Sequence, residues 1–294
     1  MERTDPYEVL EAERPEQSRG GRSSERVGIL RLREGRANRT RDAVAVEEPL
    51  EIRLEGEQVA VTMRTPGPGE DAELAIGFLA GEGIVDPGDV AAAVECRPEA
   101  DGGVIDVRLR HGAGPRTGWQ RNFYATSSCG ICGKASIDAV RLAADPVADG
   151  PPVSADRLGA LPERLRRGQR TFEKTGGLHA AGLFSADGEL LVLREDVGRH
   201  NAVDKAIGRG IMRRSEGAGD GDGPLAAVLQ VSGRASFELV QKALMAAIPI
   251  VAAVSAPSSL AVRLARESNM TLVGFSRGTG FNVYAGESRI ERLA

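Results

Sequence analysis

The last seventy or so residues constrain the fold most, because three short apolar runs there alternate with helical stripes. Residues 225–231, 248–254 and 270–275 are nearly uninterrupted apolar runs, as strands covered on both faces require. Phe237, Val240 and Leu244 recur at helical spacing after the first run. Leu260 and Leu264 do so after the second, with Pro257 expected in the first helical turn. Strand-helix-strand-helix-strand implies right-handed crossovers and a parallel region of sheet. Residues 281–284 add a final strand. The expected class is α/β with a mixed sheet.

Upstream the period changes. Residues 27–64 alternate apolar and polar side chains, as in Leu50-Glu51-Ile52-Arg53-Leu54 and Val59-Ala60-Val61, and read as antiparallel strands. Thr65-Pro66-Gly67-Pro68-Gly69 makes a turn, and residues 70–82 a helix with Leu74, Phe78 and Leu79 near one face and Gly83 closing it. Residues 145–152 read as a loop. Residues 178–184 and 189–193 flank Asp187-Gly188 as a hairpin. Arg199-His200-Asn201 reads as a loop opening a helix with Val203, Ile207 and Ile211 on one face, and residues 214–224 as a flexible connection. Residues 1–25, rich in Glu, Arg, Ser and Gly, are expected to form a disordered tail. Residues 26–294 are expected to form one domain, β-rich over 26–150 and α/β over 170–294. No internal repeat is visible.

Composition excludes several classes. A net charge of −4 and an aromatic content of 4% argue against a nucleic-acid binder, which needs cations and stacking platforms. Residues 243–262 are uncharged over about a membrane span, but Pro249, Pro257 and three serines interrupt them, so no membrane association is expected. No secretory signal precedes the strands. Three cysteines (Cys96, Cys129, Cys132) do not make a disulfide framework and fit the reduced thiols of a cytoplasmic protein. Of 38 basic residues only Lys134, Lys174, Lys205 and Lys242 are lysines. A chain that uses arginine almost everywhere keeps lysine where a compact ammonium is needed.

The chemistry is expected in Thr126-Ser127-Ser128-Cys129-Gly130-Ile131-Cys132-Gly133-Lys134. Residues 135–144 read as a helix starting just after the thiols. The positive end of its dipole and the Lys134 ammonium both favour a thiolate. Gly130 and Gly133 let the backbone approach a bulky ligand. Four readings compete. Structural zinc needs two more ligands, and Cys96, His111, His179 and His200 form no second close pair. A thioredoxin-like site normally follows an early strand of a βαβ unit, whereas these cysteines lie mid-chain. A zinc deaminase needs His-x-Glu before Pro-Cys-x-x-Cys; here Ser128 precedes Cys129, and His179 lies downstream without the glutamate. A persulfide carrier needs one low-pKa thiolate with a second thiol nearby, which Cys129 and Cys132 supply.

The chain resembles the FdhD family, the sulfurtransferase accessory proteins of formate dehydrogenase. The resemblance is carried by Glu48-Pro49-Leu50, Thr65-Pro66-Gly67, Ile76-Gly77-Phe78-Leu79, residues 126–137, Thr175-Gly176-Gly177-Leu178-His179-Ala180-Ala181, residues 194–205, Ser232-Gly233-Arg234-Ala235-Ser236 and Val254-Ser255-Ala256-Pro257. It implies a cytidine-deaminase-like three-layer fold with a mixed sheet, plus an N-terminal antiparallel β region. It implies that sulfur passes from a cysteine desulfurase to the molybdenum bis-guanine-dinucleotide cofactor before that cofactor enters formate dehydrogenase, in a homodimeric protein with no metal of its own. Cys129 then carries the persulfide, Cys132 assists or resolves it, and Phe275, Ser276, Arg277, Gly278, Thr279 and Gly280 bind the cofactor. The alternative is a non-catalytic chaperone that only binds and hands on the cofactor.

Pyrophosphates need donors and cations, and loops at the carboxyl ends of parallel strands are the natural place for them. Ser232-Gly233-Arg234, Ser255-Ala256-Pro257 and Ser276-Arg277-Gly278 are such loops. His200, beside Arg199 and Lys205, is a candidate contact, whereas His179 reads as structural. Glu195 and Asp196 are placed to orient Arg199 or Lys205, or to form surface ion pairs.

Overall fold

The polar–apolar alternation near the amino end folds as two hairpins. In the computed structural model, which describes residues 22–96, 103–111, 113–115, 144–150, 152–217, 224–278 and 280–291, β1 (Ser24–Arg33) and β2 (Arg36–Ala45) pair antiparallel. Ser24 and Glu25, expected in the tail, instead pair with Ala45 and Val44, and residues 1–21 lie outside the described residues. β3 (Glu48–Leu54) and β4 (Glu57–Arg64) form the second hairpin. Helix α1 (Glu70–Gly81) ends as expected at Gly83, whose φ of 66° is the left-handed conformation glycine adopts without strain. Two strands absent from the sequence-based expectation, β5 (Val90–Cys96) and β6 (Gly103–Leu109), complete a sheet of order β4-β3-β6-β5. β6 runs parallel to β3.

After β7 (Val153–Ser154) come two helices that the sequence expectation also lacks, α2 (Ala155–Gly168) and α3 (Arg170–Thr175). The expected hairpin is β8 (His179–Phe184) and β9 (Leu190–Asp196). α4 (Arg199–Ser215) begins at Arg199 itself, so Arg199-His200-Asn201 is a first helical turn rather than a loop. Then follow β10 (Val228–Val231), α5 (Phe237–Met245), β11 (Ile250–Ala253), α6 (Ser259–Glu267), β12 (Thr271–Arg277), β13 (Gly280–Ala285) and β14 (Ile290–Glu291). Pro257 stands before α6, bridged in parallel to Ala235, and Ser258 caps the helix through its hydroxyl, which accepts from the Ala261 N–H. The bond of this bridge runs from the Ser258 N–H to the Ala235 carbonyl, so it does not call on the N–H that proline lacks.

The second sheet has the order β13-β12-β11-β10-β8-β9, with β10, β11 and β12 parallel as expected. Its side chains separate by strand period. Ala180, Phe184, Val228, Ile250, Ala252 and Val273 meet Leu158, Leu161 and Leu165 of α2 on one face. Ala181, Leu183, Leu229, Val231, Val251 and Leu272 meet α4, α5 and α6 on the other. This is the expected three-layer α/β arrangement with a mixed sheet. Beyond it, α1 lies between α4 and the four-stranded sheet.

Buried ion groups fasten these layers. Lys205 Nζ of α4 lies 2.7 Å from Asp196, 2.8 Å from Glu70 and 2.6 Å from the Thr65 carbonyl. Lys242 Nζ of α5 lies 2.8 Å from Asp204 and 3.0 Å from Glu82, with the Phe78 ring 5.3 Å away. Burial alone would lower the Lys242 pKa, but Asp204 and Glu82 raise it instead. Arg64 grips Asp71 with two bonds of 2.7 and 2.9 Å and also reaches Glu48. Removing one partner of such a buried pair strands the other charge.

Candidate functional site

β8 runs antiparallel to both β9 and β10, so β9, β10, β11 and β12 all end on one edge of the sheet. The helices that follow β9, β10 and β11 must therefore start there, which aims the amino ends of α4, α5 and α6 at one rim. Backbone bonds knit the loops together. Ser232 N–H donates to the Ala180 carbonyl, Ser255 N–H to Gly233, Ser258 N–H to Ala235, and Phe275 N–H to Ser255, at 3.0–3.2 Å. The Ser232 hydroxyl accepts from the Ala180 N–H at 2.9 Å. A Cβ on Gly274 would stand 2.9 Å from Pro257 Cδ, so β12 packs closely beneath the second loop.

Cations collect on this rim. Arg199 opens α4, and its Nε is buried without a hydrogen-bond partner among the described residues. Arg234 and Arg277 are exposed. His179 lies over the first loop, 3.6 Å from where a Gly233 Cβ would stand. Its pKa is lowered first by burial and then by the Arg199 and His200 charges, so the ring is neutral near pH 7. His200 Nε2 is 3.9 Å from Glu238 on α5. Burial pushes the Glu238 pKa up, but hydrogen bonds from His200, its own N–H and Ser236 hold it down to about 2. Backbone donors, helix starts and fixed cations together make a surface suited to a polyanion.

The stretch expected to bind the cofactor is only partly the expected loop: Phe275, Ser276 and Arg277 are the last residues of β12, and Gly278 begins the turn towards β13 on the same rim. Phe275 is 44% exposed, with a φ of 54° that non-glycine residues seldom adopt. Ser276 is fully buried, its hydroxyl without a hydrogen-bond partner among the described residues. Gly278 takes a φ of 57°, and Gly280 opens β13. Thr279 lies outside the described residues, as do Cys129, Cys132 and residues 135–143 of the expected helix.

Other expectations resolve differently. Of the two acids expected to orient Arg199 or Lys205, Asp196 does pair with buried Lys205, whereas Glu195 accepts from the Thr171 and Phe172 N–H groups at the start of α3. Asn201 ties α4 to β4, donating to the Met63 carbonyl at 2.7 Å. The bonds of Arg194 to Glu73 went unanticipated, since sequence alone does not pair residues that far apart. Among the described residues no helix is long and apolar enough to cross a membrane.

Comparison with known proteins gives this geometry a context. The chain is 53% identical over 281 residues to the sulfur carrier protein FdhD of Streptomyces coelicolor, covering 92% of this chain and 96% of that one. It is 52% identical over 261 residues to the protein of the same name from Mycobacterium tuberculosis, covering 85% and 92%. A crystal structure from Desulfotalea psychrophila, of a protein proposed to be a formate dehydrogenase accessory protein, superposes with a TM-score of 0.71 at 26% identity, covering 92% of this chain and all of that one. Residues 45–291 match the model of the FdhD/NarQ family, and the chain belongs to that family.

Proposed function

We propose that this chain is a sulfur carrier for formate dehydrogenase, taking sulfur from a cysteine desulfurase and delivering it to the molybdenum bis-guanine-dinucleotide cofactor. The names of the bacterial relatives support the sulfur-carrier part, and the Desulfotalea protein supports the link to formate dehydrogenase. One observation of the fold carries the cofactor part: four strands end on one edge, where Arg199, Arg234 and Arg277 collect beside three helix starts. The cargo's pyrophosphates fit that donor set, and the buried Arg199 Nε is a donor still without an acceptor among the described residues.

In the proposed reaction the Cys129 thiolate attacks the outer sulfur of the desulfurase persulfide. The S–S bond to the donor cysteine breaks, one to Cys129 forms, and the donor leaves as a thiolate, with no net oxidation. Delivery requires that sulfur to leave Cys129. If the Cys132 thiolate attacks the inner sulfur, hydrosulfide departs and a Cys129–Cys132 disulfide remains, which a cellular dithiol must reduce before the next cycle. Phe275, Ser276, Arg277, Gly278, Thr279 and Gly280 hold the cargo.

Exchange of Cys129 for Ala separates carrier from chaperone. The carrier reading expects formate dehydrogenase to stay unsulfurated while cofactor binding is retained. Active, sulfurated enzyme from the Cys129→Ala background overturns it in favour of a chaperone.

A further inference from the structure

The β1–β2 ribbon lies apart from both larger sheets and meets the body through α3. At its base Val46 N–H donates to the Ser23 carbonyl and the Ser23 and Thr171 hydroxyls lie 3.3 Å apart. Ten residues per strand give an arm on the order of 30 Å long. A lone two-stranded hairpin is marginal in water and needs something packed on it.

Its two faces differ. Directly opposed residues share a face, so the register sorts every side chain. One face carries Val27, Ile29, Thr40 and Val44, all half-buried, together with the Arg31–Asp42 ion pair of 3.2 Å. The other carries Arg26, Leu30, Leu32, Arg39 and Arg41, with only Ser, Gly and Ala between them. All five are exposed, Leu30 and Leu32 at 60% and 69%. The carboxylates within the strands, Glu25 and Asp42, both lie on the first face. The bare face is thus apolar and cationic, and among the described residues of the two strands it carries no acid.

We propose that this face docks a partner protein whose surface sets apolar side chains among carboxylates. This rests on the carrier reading, which requires such a partner as sulfur donor or acceptor. Charge complementarity selects the occupant: three arginines flank two leucines, so an acidic rim around an apolar centre satisfies both. A second copy docked arm to arm would set these arginines against one another. Nucleic acid would leave the leucines idle and finds no aromatic platform on the arm. A membrane would gain only two leucines, with no Trp or Tyr anchor.

The test measures the affinity of the full chain for two probes, cysteine desulfurase and formate dehydrogenase lacking its cofactor. Arg39→Glu/Arg41→Glu should weaken binding of one of them by at least about tenfold, and Leu30→Ser/Leu32→Ser by about as much. Arg36→Glu, on the opposite face, should change it less than about twofold. Circular dichroism checks that each variant folds. Equal affinity of the arm variants for both probes overturns the proposal. It is also overturned if the variants instead lose self-association, or lose binding to phosphatidylglycerol vesicles or to duplex DNA. Loading of Cys129 by inorganic polysulfide should be unchanged in every arm variant. Failure of that loading in the wild-type chain would refute the carrier reading and leave the docking result standing.

Discussion

Gly77 of α1 and Gly208 of α4 face each other where the two helices cross. A Cβ on Gly77 would stand 1.8 Å from the Asp204 carbonyl oxygen, and one on Gly208 would stand 1.8 Å from that of Glu73. The obstacle in both cases is backbone, which cannot swing aside.

Gly→Ala within a helix ordinarily stabilises by about 0.5–1 kcal/mol. Here the sign should reverse, because the helices must separate to admit the methyl group. Gly77→Ala or Gly208→Ala should each cost at least about 2–3 kcal/mol in chemical denaturation. An unchanged midpoint would show that the two helices do not meet backbone to backbone at these glycines.

Lys205→Met should cost about 3–5 kcal/mol, since Asp196 and Glu70 keep their charges without the ammonium between them. Lys205→Arg should not restore stability, because the pocket accepts three converging bonds to one nitrogen and a planar guanidinium is wider. Unfolding curves for both variants check this, and full rescue by Arg would contradict it.

Folded Glu238 titrates at about 2 against an ordinary 4.5. A carboxyl depressed on folding contributes stability above its unfolded pKa and loses it as pH falls towards the folded one. The contribution, on the order of 2–3 kcal/mol, should be complete above pH 5 and decline between 4.5 and 2. Glu238→Gln should therefore be less stable than wild type at pH 6, with the gap closing as pH drops. A gap independent of pH would show that the hydrogen bonds from His200, Ser236 and the backbone do not hold this carboxyl below its ordinary range.

Much of this architecture is legible in the residues. Apolar runs placed β10, β11 and β12 because parallel strands are covered on both faces, and Gly83 marked the end of α1. The scarcity of lysine marked Lys205 and Lys242, and both are buried where a point charge must meet two carboxylates. Lys174, on an exposed turn of α3, shows that scarcity alone does not fix the environment. Leu158, Leu161 and Leu165 carry a readable helical signal for α2. Asp196 was legible as a partner of Lys205, being nine residues upstream across one loop, but Glu82 and Lys242 were not, since they meet only through the packing of α1 on α5. Nor was the gathering at the rim of His179 and Arg199, which depends on β8 running against its neighbours.

At the rim, Arg234→Ala and Arg277→Ala should each weaken guanosine diphosphate binding by about three- to tenfold, with a smaller salt dependence than wild type. Calorimetric titration at two salt concentrations checks this. Affinity unchanged in both variants would remove the β10 and β12 loops from the cofactor site.

Sulfur loading is tested most directly by mass spectrometry of the protein after incubation with a cysteine desulfurase and cysteine. The expected result is a gain of one sulfur atom on the peptide bearing Cys129, removed by dithiothreitol and absent from Cys129→Ala. An unmodified Cys129 beside an active desulfurase, or sulfur carried only on other residues, would contradict it.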